Sequence, residues 1–173
     1  MQAGEVVRLD VGCDFDMYKG DFGRTIPVSG HFSEEQRETM ELLNGAYLAG
    51  VAAMQPGATA KDVFSATLSY VKQHQNELKT PMAKEAAGDA LQRSGFALHG
   101  LGVDMAEGTP TSFQAGNVIC YEPLFTAGSQ GFFVEDTFLI TTIGHEVLNP
   151  PLPYAPHDIE EAMAQRPNRP AAH

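Results

Sequence analysis

Val6, Val7, Leu9 and Val11 form a strand-like apolar run that leads into Asp10. A second extended run follows a turn, carries Asp21 and continues through Thr25-Ile26-Pro27-Val28 to a turn at Ser29-Gly30. The pattern changes at residue 33. Ser33 followed by Gln36 is a capping box, and Glu34 and Glu35 favour a helix N-terminus. Met40, Leu43, Tyr47 and Val51 recur at helical spacing to about Met54, where Gln55-Pro56-Gly57 stops the helix. Thr59 with Asp62 caps a second helix, whose apolar stripe is expected at Phe64, Leu68 and Val71. A third helix is expected over 82–93, closed by Gly95.

From Phe96 onward the texture becomes short extended runs broken by glycine. Strands are expected over 96–102, 118–122, 132–141 and 146–148, with turns at Gly116-Asn117 and at 128–131. A hairpin, then helices, then a mostly antiparallel set of strands makes an α+β domain. The expected division is a domain over 1–150 and a proline-rich, flexible tail over 151–173, with a short helix near 159–165.

The chain of 173 residues is long enough for one domain with a substantial core. Its net charge is −11 and no basic cluster stands out, which argues against a nucleic-acid partner. No apolar run approaches a membrane span, and no secretory leader opens the sequence, so no membrane is expected and the cytoplasm is the expected location. Cys13 and Cys120 lie far apart in apolar runs and are expected to be reduced and buried.

The candidate chemistry begins with Asp10 and Asp21, which a paired hairpin would point into one cavity. Two like charges side by side resist joint ionisation, and such a pair is usually kept for a cation or for shared-proton chemistry. His99 opens HGLG, Glu122 follows VICY and precedes Pro123, and Glu135 stands in the apolar run FFVEDTFLI. A glutamate in so apolar a strand costs several kcal/mol unless it is paired or metal-bound. Two aspartates, two glutamates and a histidine suit two divalent ions. Taken singly, each has a plainer reading: a turn aspartate, a satisfied core histidine, a strand-end or solvent-facing glutamate. Cys120, two residues before Glu122, shares its side of the strand and reads as a wall residue.

The motifs LDVG, GDFGRT, HGLGVDMAE, YEP and FVEDTFLIT, in that order from about Val6 to Leu148, resemble those of the pita-bread metallopeptidases. That family includes methionine aminopeptidase, Xaa-Pro dipeptidase and aminopeptidase P, with creatinase as a non-peptidase cousin. The segment TIPVSGHFSEEQRETMELL is closer to the Xaa-Pro side. The resemblance implies a pita-bread α+β fold, a curved and mostly antiparallel sheet with helices on its outer face. It implies five metal ligands: Asp10 on one ion, Asp21 and Glu135 bridging, His99 and Glu122 completing the second shell. It also implies an acidified water that attacks the scissile carbonyl, with Glu122 as its proton acceptor and donor. Mn²⁺ or Fe²⁺ suits oxygen-rich ligation, with Co²⁺ and Zn²⁺ as alternatives, and the substrate would be a peptide or a small molecule. Xaa-Pro members of the family are often homodimers.

Two departures stand out. Where the family carries a second histidine seven positions after the first, this chain has Ala106, directly before Glu107. Alanine cannot hydrogen-bond an oxyanion, and losing one such donor commonly costs about a hundred-fold in rate, roughly 3 kcal/mol. Family members also carry a few dozen residues ahead of the first aspartate strand. The fold is therefore expected to be incomplete at its N-terminus, with an exposed sheet edge. The function expected is a dinuclear-metal hydrolase of the Xaa-Pro peptidase type. The rivals are a metal-binding pseudoenzyme or interaction module and a creatinase-like enzyme for a small non-peptide substrate.

Overall fold

The computed structural model describes residues 1–165. Strands β1 (Val6–Phe15) and β2 (Tyr18–Pro27) pair antiparallel along their whole length, so that Asp10 lies opposite Gly23 and Gly12 opposite Asp21. Asp16 and Met17 make the two-residue turn, both at positive φ (50° and 74°). That handedness matches the twist of the strands it joins.

Three helices follow: α1 (Glu34–Ala52), α2 (Ala60–His74) and α3 (Pro81–Gln92). Reciprocal hydrogen bonds between Ser33 and Gln36, and between Thr59 and Asp62, close the first two N-termini. The α2 stripe differs from the expected one. Val63, Thr67 and Val71 are the buried positions, while Phe64 and Leu68 are only half-buried. The helix is turned so that the Thr67 hydroxyl meets the Tyr121 hydroxyl at 2.6 Å, giving two buried polar groups one another as partners.

The second half supplies β3 (Ala97–Gly100), β4 (Val118–Glu122), β5 (Leu124–Ala127), β6 (Gln130–Ile140) and β7 (His145–Val147). All pairings are antiparallel, in the order β1-β2-β6-β4-β3, with β5 and β7 also on β6. The sheet curves until its two sides meet: the Lys19 amide at the start of β2 donates to the Gly102 carbonyl just past β3, at 2.8 Å. Strand β5 escaped the sequence reading because it is short and begins directly after Pro123. β1 is an edge strand, and Leu9, Val11 and Phe15 on it are exposed. Cys13 is exposed with them, which corrects the expectation that it is buried, while Cys120 is buried as expected. Neither forms a disulfide. No helix among the described residues is long and apolar enough to cross a membrane.

One face of the sheet carries Ile119, Tyr121, Val134, Asp136 and Phe138, all buried. Tyr47 of α1 stacks on Tyr121 there, with ring centroids 5.9 Å apart. Asp136 is held from three sides: by Arg24 Nη2 at 2.7 Å, by the Tyr47 hydroxyl at 2.5 Å and by Asn149 Nδ2 at 2.6 Å. Arg24 also donates to the carbonyls of Gly23, Glu135, Leu152 and Pro153. These bonds tie the carbonyls of Leu152 and Pro153, in the expected tail, to the core, and helix α4 (Pro156–Ala164) that follows buries Ile159. Glu160 on α4 accepts from the Phe32 amide and pairs with Arg37. The rest of the expected tail lies outside the described residues.

Removing one partner of a buried ion pair strands the other charge, a loss of about 3–5 kcal/mol. Asp136→Ala is accordingly expected to lower the unfolding free energy by about that amount in urea melts, and a loss below about 1 kcal/mol would show that Arg24 is satisfied by the carbonyls alone.

Candidate metal centre

Strand register determines what shares the opposite face. Across the sheet, His99 lies opposite Cys120, Cys120 opposite Thr137, and the Thr137 hydroxyl donates to the Asp21 carbonyl at 2.5 Å. A neighbouring row runs Ala97, Glu122, then Glu135, Gly23 and Asp10. Side chains alternate along a strand and cross-strand partners share a side, so residues two apart in these rows point the same way. Asp10, Asp21, His99, Glu122 and Glu135 thus occupy one face of a single curved sheet. Gly23, between Asp10 and Glu135 in this row, makes room for the Phe133 ring, which an added Cβ would meet at 1.8 Å.

The tightest group on that face is Asp21, His99, Cys120 and Glu135, whose donor atoms all lie within 4.8 Å of one another. Glu122 joins it through His99, Oε1 to Nε2 at 3.4 Å. His99 Nδ1 lies 2.9 Å from the Gly100 carbonyl, which can only accept, so Nδ1 carries a proton there and Nε2 is left facing Glu122 and the site. Asp10 and Glu122 line an adjoining cavity of about 220 Å³ with Arg8, Arg93, Phe96, Leu124 and Phe133. The Arg8 guanidinium lies over the Phe133 ring, 5.4 Å from its centre.

The electrostatics are those of crowded carboxylates. Burial pushes Glu135 up to about 8, the Cys120 hydrogen bond opposes this, and the charges of Glu122, Asp21 and Asp10 raise it further. Burial and then the Asp10 charge raise Asp21, with His99 opposing. Glu122 is raised by burial first, with His99 opposing and Asp10 and Asp21 adding. Glu135 is 1% exposed, and its Oε2 is buried without a hydrogen-bond partner. An orphaned carboxylate oxygen among hard donors and an imidazole fits a divalent cation, which would meet the unpaired oxygen and hold the carboxylates ionised together.

Residues 101–109 loop over one end of this face. The loop is closed by backbone bonds between Gly100 and Glu107, and by Glu107 Oε1 accepting from the Val103 amide at 3.0 Å. Met105 covers Gly12, whose added Cβ would lie 2.6 Å from the Met105 methyl. Ala106 is exposed in this loop and offers the site no polar atom. The sequence reading brought forward all five candidate ligands but passed over Asp136, Arg24, Tyr47 and Asn149, which fasten the strands from behind. The adjacent pair Glu135-Asp136 in an apolar run was the available signal, since consecutive strand residues face opposite sides.

A seven-stranded antiparallel sheet with helices on one face and acidic residues on the other is the pita-bread α+β architecture. Residues 1–142 match the metallopeptidase family M24, and the chain belongs to that family. It is 28% identical over 183 residues to the Xaa-Pro aminopeptidase of Haemophilus influenzae, covering 92% of this chain and 42% of that protein. It is 31% identical over 151 residues to the Xaa-Pro dipeptidase of Pyrococcus furiosus, covering 83% of this chain and 39% of that protein. Among solved structures, proline aminopeptidase P II from Yersinia pestis superposes with a TM-score of 0.82 at 25% identity, over 96% of this chain and 43% of that one. The chain therefore spans about two-fifths of the length of these relatives.

The raised Glu135 carboxyl has a consequence for stability without metal. Between about 4.5 and about 8 the folded protein keeps a proton that the unfolded chain has released, so stability falls as pH rises through that window. The melting temperature of the metal-stripped chain is expected to drop from pH 5 to pH 8, and Glu135→Gln is expected to flatten that slope. Equal slopes in parent and variant would remove Glu135 as the cause.

Proposed function

We propose that this chain carries the metal centre of a dinuclear hydrolase of the Xaa-Pro peptidase type, releasing the N-terminal residue from proline-containing peptides. The observation that supports it best is the single-faced set Asp10, Asp21, His99, Glu122 and Glu135, in a family whose similar members are named as Xaa-Pro peptidases. In this reading Asp10 would hold one ion, His99 with Glu122 would hold the second, and Asp21 with Glu135 would serve both. When bound, the two ions supply Lewis acidity that polarises a carbonyl and acidifies water. On this oxygen-rich set alone, Mn²⁺ or Fe²⁺ is preferred.

The chain's own residues would do the rest. Gly100 fixes the His99 ring, so that its Nε2 does not rotate away. Glu122 lies between that imidazole and the cavity, and its raised carboxyl suits a group that takes a proton from water and returns it to the leaving amine. Phe96, Leu124 and Phe133 give the cavity an apolar wall that suits a prolyl ring or an aliphatic side chain. The reading extends to a homodimer in the cytoplasm, where the free thiols Cys13 and Cys120 stay reduced.

A second reading, a metal-binding module without efficient turnover, is favoured by Ala106 and its lack of any polar side-chain atom at the site. One experiment separates the two. Metal content of the purified chain is measured after Mn²⁺ loading, and cleavage of an Xaa-Pro dipeptide and tripeptide panel is followed in parent and Ala106→His. Two ions per chain and a gain of about a hundred-fold on restoring the histidine are expected for a catalytic scaffold. Bound metal with no cleavage by either protein would favour the module, and no bound metal would overturn both.

A further inference from the structure

The five-ligand set leaves one donor at the centre of the site without a role. Cys120 sits in the lattice between His99 and Thr137, two residues from Glu122 on the same strand. Its Sγ lies 2.9 Å from Glu135 Oε1, a short separation for sulfur, and it is fully buried. Thr137 is already committed, its hydroxyl donating to the Asp21 carbonyl, so it does not compete for the same space. The other oxygen of the same carboxylate, Glu135 Oε2, is buried and unpartnered.

We propose that Cys120 is itself a metal ligand, so that one ion is held by the sulfur together with Asp21, His99 and Glu135. The four donor atoms lie within 4.8 Å of one another. Four-coordinate zinc sites take Zn–N and Zn–O bonds of about 2.0–2.2 Å and Zn–S bonds of about 2.3 Å, so a small inward movement closes this group around one ion. Coordination exchanges the S–H bond for a sulfur–metal bond and releases the proton to solvent. A thiolate changes the preference of the centre: Zn²⁺, Co²⁺ or Fe²⁺ gains over Mn²⁺ relative to an all-oxygen-and-nitrogen set. This inference rests on the metal centre proposed above and adds to it a sixth donor and a softer metal choice.

The test uses a Cys13→Ser chain, because Cys13 is exposed and lies on the opposite side of β1 from Asp10 and Gly12. This chain and a Cys13→Ser, Cys120→Ser double variant are loaded with Co²⁺ under reducing, oxygen-free conditions. Cobalt content and the near-ultraviolet sulfur-to-cobalt charge-transfer band are both read. The band is expected in the first protein and lost in the second, with cobalt affinity falling about ten-fold or more. Cobalt bound by the first protein without the band would overturn the inference and leave the metal centre standing. No cobalt in either protein would overturn the centre and the inference together. Because Cys120→Ser changes a buried residue, the Cys13→Ser chain is also loaded with Zn²⁺ for X-ray absorption. A sulfur scatterer at about 2.3 Å supports ligation, and a shell of light atoms alone overturns it.

Discussion

Two consecutive carboxylates in the most enclosed strand of the sheet dominate this molecule. Glu135 and Asp136 point to opposite faces of β6, and each is almost wholly buried. At the back, Arg24, Tyr47 and Asn149 satisfy Asp136 completely enough that the charge becomes part of the scaffold. At the front, Glu135 has a thiol on one oxygen and nothing on the other. The asymmetry divides labour within one dipeptide. The back carboxylate fastens β2, β6 and the segment after β7 together, and the front one leaves an electrostatic demand that a proton or an added cation answers.

The sheet explains why the candidate ligands converge. They come from β1, β2, β3, β4 and β6, and antiparallel register alone brings them into two adjacent rows. Glycine at positions 12 and 23 makes room in those rows for Met105 and Phe133, which lie where side chains would otherwise project. A slip of one residue between β2 and β6 would send Glu135 to the helix side and Asp136 to the cavity. Arg24 guards against that slip, because its guanidinium reaches the Glu135 carbonyl and the Asp136 carboxylate at once.

Much of this was legible in the sequence because the signals are local. The capping boxes at Ser33 and Thr59 mark helix starts, and the strand around Glu122 keeps its expected limits. The five acidic and imidazole candidates were brought together by the order of their motifs, which resembles that of a known family; on physical grounds alone only Glu135 stood out, as a carboxylate costly in an apolar run. What escaped depends on tertiary partners. Cys13 looks buried within its apolar run, yet it is exposed, because no element among the described residues covers β1 there. The α2 stripe is rotated by the meeting of Thr67 with Tyr121, which lies 54 positions further on. Leu152, Pro153 and Tyr154 stand in a stretch that reads as a loose tail by composition, but their carbonyls are acceptors for Arg24 and Asn44.

The closing of the sheet through Lys19 and Gly102 bears on how the chain reaches this state. The acidic face does not exist in any local fragment, since its donors span positions 10 to 135 and meet only when distant strands have paired. Pairings of that sequence separation are late and slow to form. A metal ion would find little to bind early in folding, and would act on the finished sheet as a brace across five strands. Its contribution to stability would then grow with its free concentration, as for any ligand that binds only the native state. Metal supply would govern how long the folded protein lasts as well as what it can do.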